Sequence, residues 1–350
     1  QPGGARMERM DDAMRRLAWL RRLGVRLREA VSAGLRAESI EQLAAATGER
    51  GGDVIYRLDE HGEEALLALC AEWAREEPFL LIAEGLEQGQ RVFPAGADER
   101  RLAFTLIVDP IDGTRGLMYG KRSAWALLGI ARAPRAGAQA GAGWPTLADI
   151  TMSVQAELPT PRAALADTLW ALAGQGAQGE TRDLRTGATT SFVPQPSAAT
   201  SLAGGFASIT KFFPGGRAQT AALEEALYEA LLGPPPTTAP HIFDDEYISS
   251  GGQLYELMVG HDRFIADLRP LITVAGRPAT FCAHPYDLCT ALIAREAGVV
   301  VADPWGQPLA APLDTETPVA WVGYANAALH AAIAPVLQRL LRERLDVGED

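Results

Sequence analysis

The segment AFTLIVDPIDGTRGLMYGKR, residues 103–122, limits what this chain can fold into more than any other. Its apolar run stops on Asp109, a second carboxylate follows at Asp112, and the chain turns at Gly113. Two carboxylates so close repel each other, and a bound positive charge is the usual reason that both stay ionised. A metal site, a phosphoaspartate site and a solvated turn are the three candidate uses. Pro110 stiffens the turn, and Gly113 lets the backbone approach a ligand closely. Thr114 falls in the first turn of an expected helix, where free N–H groups attract phosphate oxygens. Asp109 and Asp112, with the Ile111 carbonyl between them, form a hard oxygen cluster suited to Mg²⁺.

Further acids stand at comparable places. Glu84 closes the apolar run FLLIAE, and if strands 79–84 and 104–109 pair, Glu84 and Asp109 share an edge. Asp287 opens the expected helix YDLCTALIAREAG, and Asp59 ends DVIYRLD just ahead of another. Each has a plainer use when taken alone. An Asp before a helix is usually an N-cap, and a lone Glu at a strand end is usually solvated. DPIDGT after a buried strand is harder to obtain from turn chemistry.

Apolar residues at helical spacing predict a long amphipathic helix over 8–31 and a second over 61–77, ended by Pro78. PFLLIAEG, AFTLIVDP, SAWALLGIAR and DITMSVQAEL read as strands, and LWALAGQGAQGETRDL as a hairpin. Beyond residue 205 helices and strands alternate, closing with the helix ALHAAIAPVLQRLLRERL. With 350 residues, two domains or two stacked layers are expected. The expected division is an α+β domain over 8–205 carrying the Asp109 loop and an α/β domain over 206–350 carrying Asp287 and the substrate pocket. A net charge of −12 argues against nucleic acid as a partner, although a bound cation would still admit an anionic substrate. No apolar run is long enough for a membrane span. No basic-then-apolar leader precedes the first helix, so the cytoplasm is the expected location. Cys70, Cys282 and Cys289 are odd in number, lack zinc spacing and read as reduced thiols.

LIVDPIDGT resembles the signature of the inositol monophosphatase and fructose-1,6-bisphosphatase superfamily. DVIYRLD, FLLIAEG and PYDLCTALIAREAGVVVADPWGQPL are similar to its other conserved segments in the family's order, and LAGQGAQGETRDL to its hairpin. The resemblance covers most of residues 10–340. It implies a layered αβαβα sandwich and a Mg²⁺-dependent phosphomonoesterase, binding two or three ions. Its partner would be a small phosphorylated metabolite, an inositol monophosphate or a related sugar phosphate, and the protein a homodimer. Glu84, Asp109 and the Ile111 carbonyl would hold one Mg²⁺, and Asp109, Asp112 and Asp287 a second. Gly113 and Thr114 would receive the phosphate on their N–H groups, while Asp59 and Thr114 would activate the attacking water.

The chain departs from that pattern at Gly85, where the family has a second glutamate, and at Tyr286, where it has tryptophan. Gly251-Gly252 followed by Gln253 replaces a Gly-Ser pair, Asp267 best matches the acid that binds sugar hydroxyls, and the 268–286 segment is long. The chain's only lysines are Lys121 and Lys211. Lys211 is read either as a solvated amine or as a group beside the leaving group, with Gln253 and Asp267. Two rival functions remain. A haloacid dehalogenase-type phosphatase needs an acid two residues after its nucleophile, whereas here the acids are three apart with Pro110 intervening. A non-catalytic metabolite-binding or scaffold protein could use the same fold.

Overall fold

In the computed structural model, which describes residues 2–50, 53–135, 137–138, 141–235, 239–274, 277–278 and 281–345, the run ending in the two aspartates is one strand buried at every position. The chain begins with α1 (Pro2–Ala37), α2 (Ile40–Leu43), the pair β1 (Ala46–Arg50) and β2 (Asp53–Tyr56), and α3 (Arg57–Trp73). Next come β3 (Phe79–Ala83), β4 (Gln90–Phe93), β5 (Phe104–Asp112), α4 (Thr114–Met118), β6 (Ala124–Ala131) and β7 (Ile150–Leu158). The first half closes with β8 (Leu165–Leu172), β9 (Ala177–Asp183) and β10 (Thr189–Phe192). The second half runs β11 (Gly205–Ile209), α5 (Arg217–Leu232), β12 (Ile242–Phe243), α6 (Ser250–Met258) and β13 (Asp262–Asp267). It ends with β14 (Thr273–Val274), β15 (Arg277–Pro278), α7 (Ala291–Ala297), β16 (Val300–Ala302), β17 (Trp321–Tyr324) and α8 (Ala327–Leu345).

Strands β3 to β10 form one sheet in the order β10-β9-β8-β7-β6-β5-β3-β4, antiparallel except where β3 and β5 run parallel. A second sheet has the order β12-β11-β13-β17-β16. Helices α1 and α3 cover one face of the first sheet, α6 and α7 lie between the sheets, and α5 and α8 cover the second. The architecture is an αβαβα layered sandwich.

Why β5 reads as an unbroken apolar run follows from this position, because both of its faces are covered. Leu106 and Val108 pack among Trp19, Leu23 and Leu66 on the α1–α3 side, whereas Ile107 joins Leu254, Ile293 and Ile265 on the other. Truncating Ile107 to Ala would remove a fully buried side chain and cost about 2–5 kcal/mol. The second cluster continues to Val322 on β17, so both sheets share one apolar core.

Several boundaries differ from those expected. Helix α3 starts four residues before 61 and ends at Trp73, so Asp59 lies within its first turn and Pro78 does not terminate it. The cause is local: an Asp59 carboxylate oxygen accepts the Tyr56 N–H at 2.8 Å, capping the helix from its third position. Asp287 sits in a 3₁₀ turn, Pro285–Leu288, and α7 begins only at Ala291. Strand β11 carries no clear alternation in GFASI and is held by parallel pairing with β12 and β13. Among the described residues no helix is long and apolar enough to cross a membrane.

Candidate active site

Period-two alternation would send Asp109 and Asp112 to opposite faces of the sheet, since they are three positions apart. A bulge prevents this. Asp109 pairs with Leu127 but Asp112 with Trp125, so β5 carries one extra residue against β6. Both carboxylates therefore reach one cavity, where oxygens of Asp109, Asp112 and Asp287 lie within 4.8 Å of one another. Glu84 joins them from the end of β3, its N–H bonded to the Val108 carbonyl at 3.3 Å, and lines the same cavity with Asp59.

Each acid is held by the backbone around it. Asp109 accepts the Ile111 N–H at 3.0 Å, and Asp287 accepts the His284 N–H at 2.6 Å. Asp112 accepts the Gly251 N–H at 2.6 Å, at the start of α6. A Cβ at Gly251 would stand 2.6 Å from that Asp112 oxygen, so only glycine permits the contact. Gly113 adopts φ of +98° as the N-cap of α4, which favours glycine and brings Thr114 into line. The Thr114 hydroxyl lies 2.8 Å from Asp59 Oδ1 and 2.9 Å from the Ile111 carbonyl, and can donate to either.

Burial is the first cause of the unusual acidity here. It pushes the Asp112 carboxyl up to about 7, against the opposing pull of the Gly251 N–H and the Ser249 hydroxyl. Burial also raises Asp109, helped by Glu84 and Asp112, and raises Asp287, helped by Asp112 and Glu84. The nearby Arg269 guanidinium is committed to Asp267, bonding its two oxygens at 2.8 and 2.6 Å. A crowded, buried, oxygen-only donor set of this kind fits a hard divalent cation.

Structure and expectation part at the substrate groups. Lys211, Gln253 and Asp267 do not line the cavity. Lys211 Nζ bonds Asp244 at 2.7 Å and Glu224 at 3.2 Å. Asp267 is fully buried under Arg269, and Gln253 is buried with its amide donating to Thr210 at 2.9 Å. Asp267 and Gln253 lie inside packed layers, whereas the part-exposed Lys211 is held by its two acids. The cavity takes Arg115, Arg269, Phe212, Phe213 and Phe281 in their stead, together with Glu63. Glu63 was findable, being one turn after Asp59 on the same helix face. Its Oε2 lies 3.5 Å from where a Cβ at Gly85 would stand. The phenylalanines come from two distant segments and carry no local signal. All three cysteines are free, and Cys282 reaches the cavity wall.

No protein-family model matches the chain, and no curated protein matches it. Solved structures do. The holo form of Leishmania major fructose-1,6-bisphosphatase superposes over 93% of this chain and 94% of that chain, at 14% identity and a TM-score of 0.66. The same enzyme in its T-state covers 93% of each chain at 13% identity, with a TM-score of 0.63. Its apo form covers 92% of this chain and 93% of that chain at 14% identity, with a TM-score of 0.62. This chain shares its layered fold with these fructose-1,6-bisphosphatase structures.

Proposed function

We propose that the protein is a Mg²⁺-dependent phosphomonoesterase that hydrolyses a small phosphorylated metabolite by direct attack of water. The observation carrying this is the Thr114 hydroxyl, 2.8 Å from Asp59, beside the buried cluster of Asp109, Asp112 and Asp287. Glu84, Asp109 and the Ile111 carbonyl would hold one ion, and Asp109, Asp112 and Asp287 another. Bound Mg²⁺ neutralises phosphate charge, acidifies water and stabilises a departing alkoxide.

The chain's own groups supply position and proton transfer. Gly113 and Thr114 offer backbone N–H groups to the phosphate. Asp59 accepts the Thr114 hydroxyl proton, which leaves an oxygen lone pair free to accept from water. As water attacks phosphorus, its proton passes to Thr114 Oγ1 while the threonine's own proton passes to Asp59. The P–O bond to the ester oxygen breaks, the departing alkoxide takes a proton from solvent water and Asp59 returns its proton to solvent, giving inorganic phosphate and the alcohol with no covalent intermediate on the protein. The fold likeness to a fructose-1,6-bisphosphatase supports a sugar phosphate or similar metabolite as substrate. A cytoplasmic homodimer, checked by sedimentation, completes the proposal.

The test is phosphate release from a panel of sugar, inositol and nucleotide phosphates, with Mg²⁺ and with chelator. Release only with Mg²⁺ is expected. A folded Asp112→Asn protein should turn over at least about a thousandfold more slowly, because the second ion loses a charged ligand. Silence across the whole panel would favour a binding protein, and a trapped phosphoaspartate would favour the haloacid dehalogenase chemistry.

A further inference from the structure

The cavity wall around the acids is aromatic. Phe213 packs edge-on against Phe212 at 4.8 Å between ring centres and against Phe281 at 6.0 Å. Two guanidiniums extend this surface. Arg269 stands over Phe212 at 4.7 Å and over Phe213 at 5.5 Å, while Arg115 stands over Phe213 at 5.9 Å and over Tyr56 at 5.4 Å. The three phenylalanines are only half-buried, so their rings still have area to offer.

A polyol leaving group needs several hydrogen-bonding side chains, because each hydroxyl taken from water must find a partner. Lys211, Gln253 and Asp267 lie outside this wall, with the Lys211 amine, the Gln253 amide nitrogen and the Asp267 carboxylate each bonded elsewhere. Arg269 gives Nε and Nη2 to Asp267 and Nη1 to the Phe281 carbonyl at 2.9 Å. That ties its plane in place against the rings, where the side chain is only 6% exposed. Half-exposed rings bind other flat π-systems, by offset or edge-on packing.

The geometry points to a substrate whose alcohol carries a flat unsaturated ring, seated against Phe212, Phe213 and Phe281, in preference to a bare polyol. This rests on the phosphatase proposal and narrows its substrate from bare sugar and inositol phosphates to esters whose alcohol carries such a ring. Phe213, touching both other rings, is the specificity-determining residue.

The experiment compares benzyl phosphate with cyclohexylmethyl phosphate, esters of similar size that differ in flatness, and includes inositol monophosphate as the polyol. For the wild-type protein with Mg²⁺, kcat/KM for the benzyl ester should exceed that for the cyclohexyl ester by roughly five- to tenfold. It should exceed the polyol ester also. In Phe213→Leu, which keeps apolar bulk, and in Phe213→Ala, the benzyl-to-cyclohexyl ratio should fall toward one. Calorimetric titration with benzylphosphonate and cyclohexylmethylphosphonate, on the Mg²⁺-loaded protein, reads the same preference without turnover. Ring-selective binding that both variants lose, with no hydrolysis of any ester, would support the wall and contradict the phosphatase proposal. Hydrolysis with equal ratios in wild type and variants, or a wild-type preference for inositol monophosphate, would overturn the wall.

Discussion

The floor and the wall of the cavity are built by opposite means. The floor is made of charge held by backbone: a bulge turns Asp112 inward, and N–H groups of Ile111, Gly251 and His284 fix three acids. The wall is made of rings and guanidiniums from segments near 212 and near 269–281, held by packing and by the Arg269–Asp267 pair. The floor can do only the chemistry its carboxylates allow, whereas the wall can change its rings without disturbing them. In the proposed enzyme catalysis and specificity would therefore be separable, and substitutions in the two regions should differ in kind.

The largest effects belong to the floor. Thr114→Ala and Asp59→Asn should each lower kcat by roughly a hundred- to ten-thousandfold while Mg²⁺ affinity changes little, since in this account they move a proton and hold no ion. The double variant should be no slower than the worse single one. Rates that simply multiply would separate the pair.

Next comes the geometry beneath Asp112. Gly251→Ala drives a methyl into that carboxylate and into Leu127, so something must shift. A stability loss of about 1–3 kcal/mol is expected, together with weaker Mg²⁺ binding. Unchanged Mg²⁺ affinity by calorimetry would mean that the carboxylate is not held by this contact.

This contrast also explains how much the sequence disclosed. DPIDGT is a local device, with bulge, turn and helix start all inside eight residues, and local devices leave local signatures. Glu84 was legible because each of two apolar runs ends in an acid, and β3 does pair with β5, in parallel. Asp59 and Asp287 were visible as acids near helix starts, although their caps lie inside the turns, not ahead of them. Lys211 looked informative because lysine is rare here, but rarity says nothing of direction, and Glu224 and Asp244 claim its amine. The wall was not legible at all. Phe213, in the loop after β11, meets Phe281, far along the chain beyond β13, and no pattern of period two or 3.6 encodes that.

A milder test uses pH. A folded-state pKa raised above its unfolded value favours folding at low pH, and that contribution is lost as pH rises through the folded value. Asp112 is raised to about 7, and Asp109 and Asp287 are raised with it. Metal-free protein should therefore lose thermal stability between about pH 4 and pH 7, and Mg²⁺ should restore it near pH 7.5. A metal-free melting temperature that climbs through this window would contradict the crowded floor.

The smallest effect is expected at Lys211, outside both regions. Lys211→Ala leaves Glu224 and Asp244 without their cation and should cost about 1 kcal/mol of stability. Its KM for any hydrolysed ester should move less than twofold. A tenfold rise would return Lys211 to the substrate.

The most direct measurement is a Mg²⁺ titration in which calorimetric occupancy and phosphate release are followed on the same preparation. The account predicts that chelated protein releases no phosphate, that binding expels protons near pH 7, and that the rate rises in step with occupancy. Asp112→Asn should lose both signals together. Phosphate released at full rate from chelated protein, or Mg²⁺ bound with no dependence on Asp112, would contradict it.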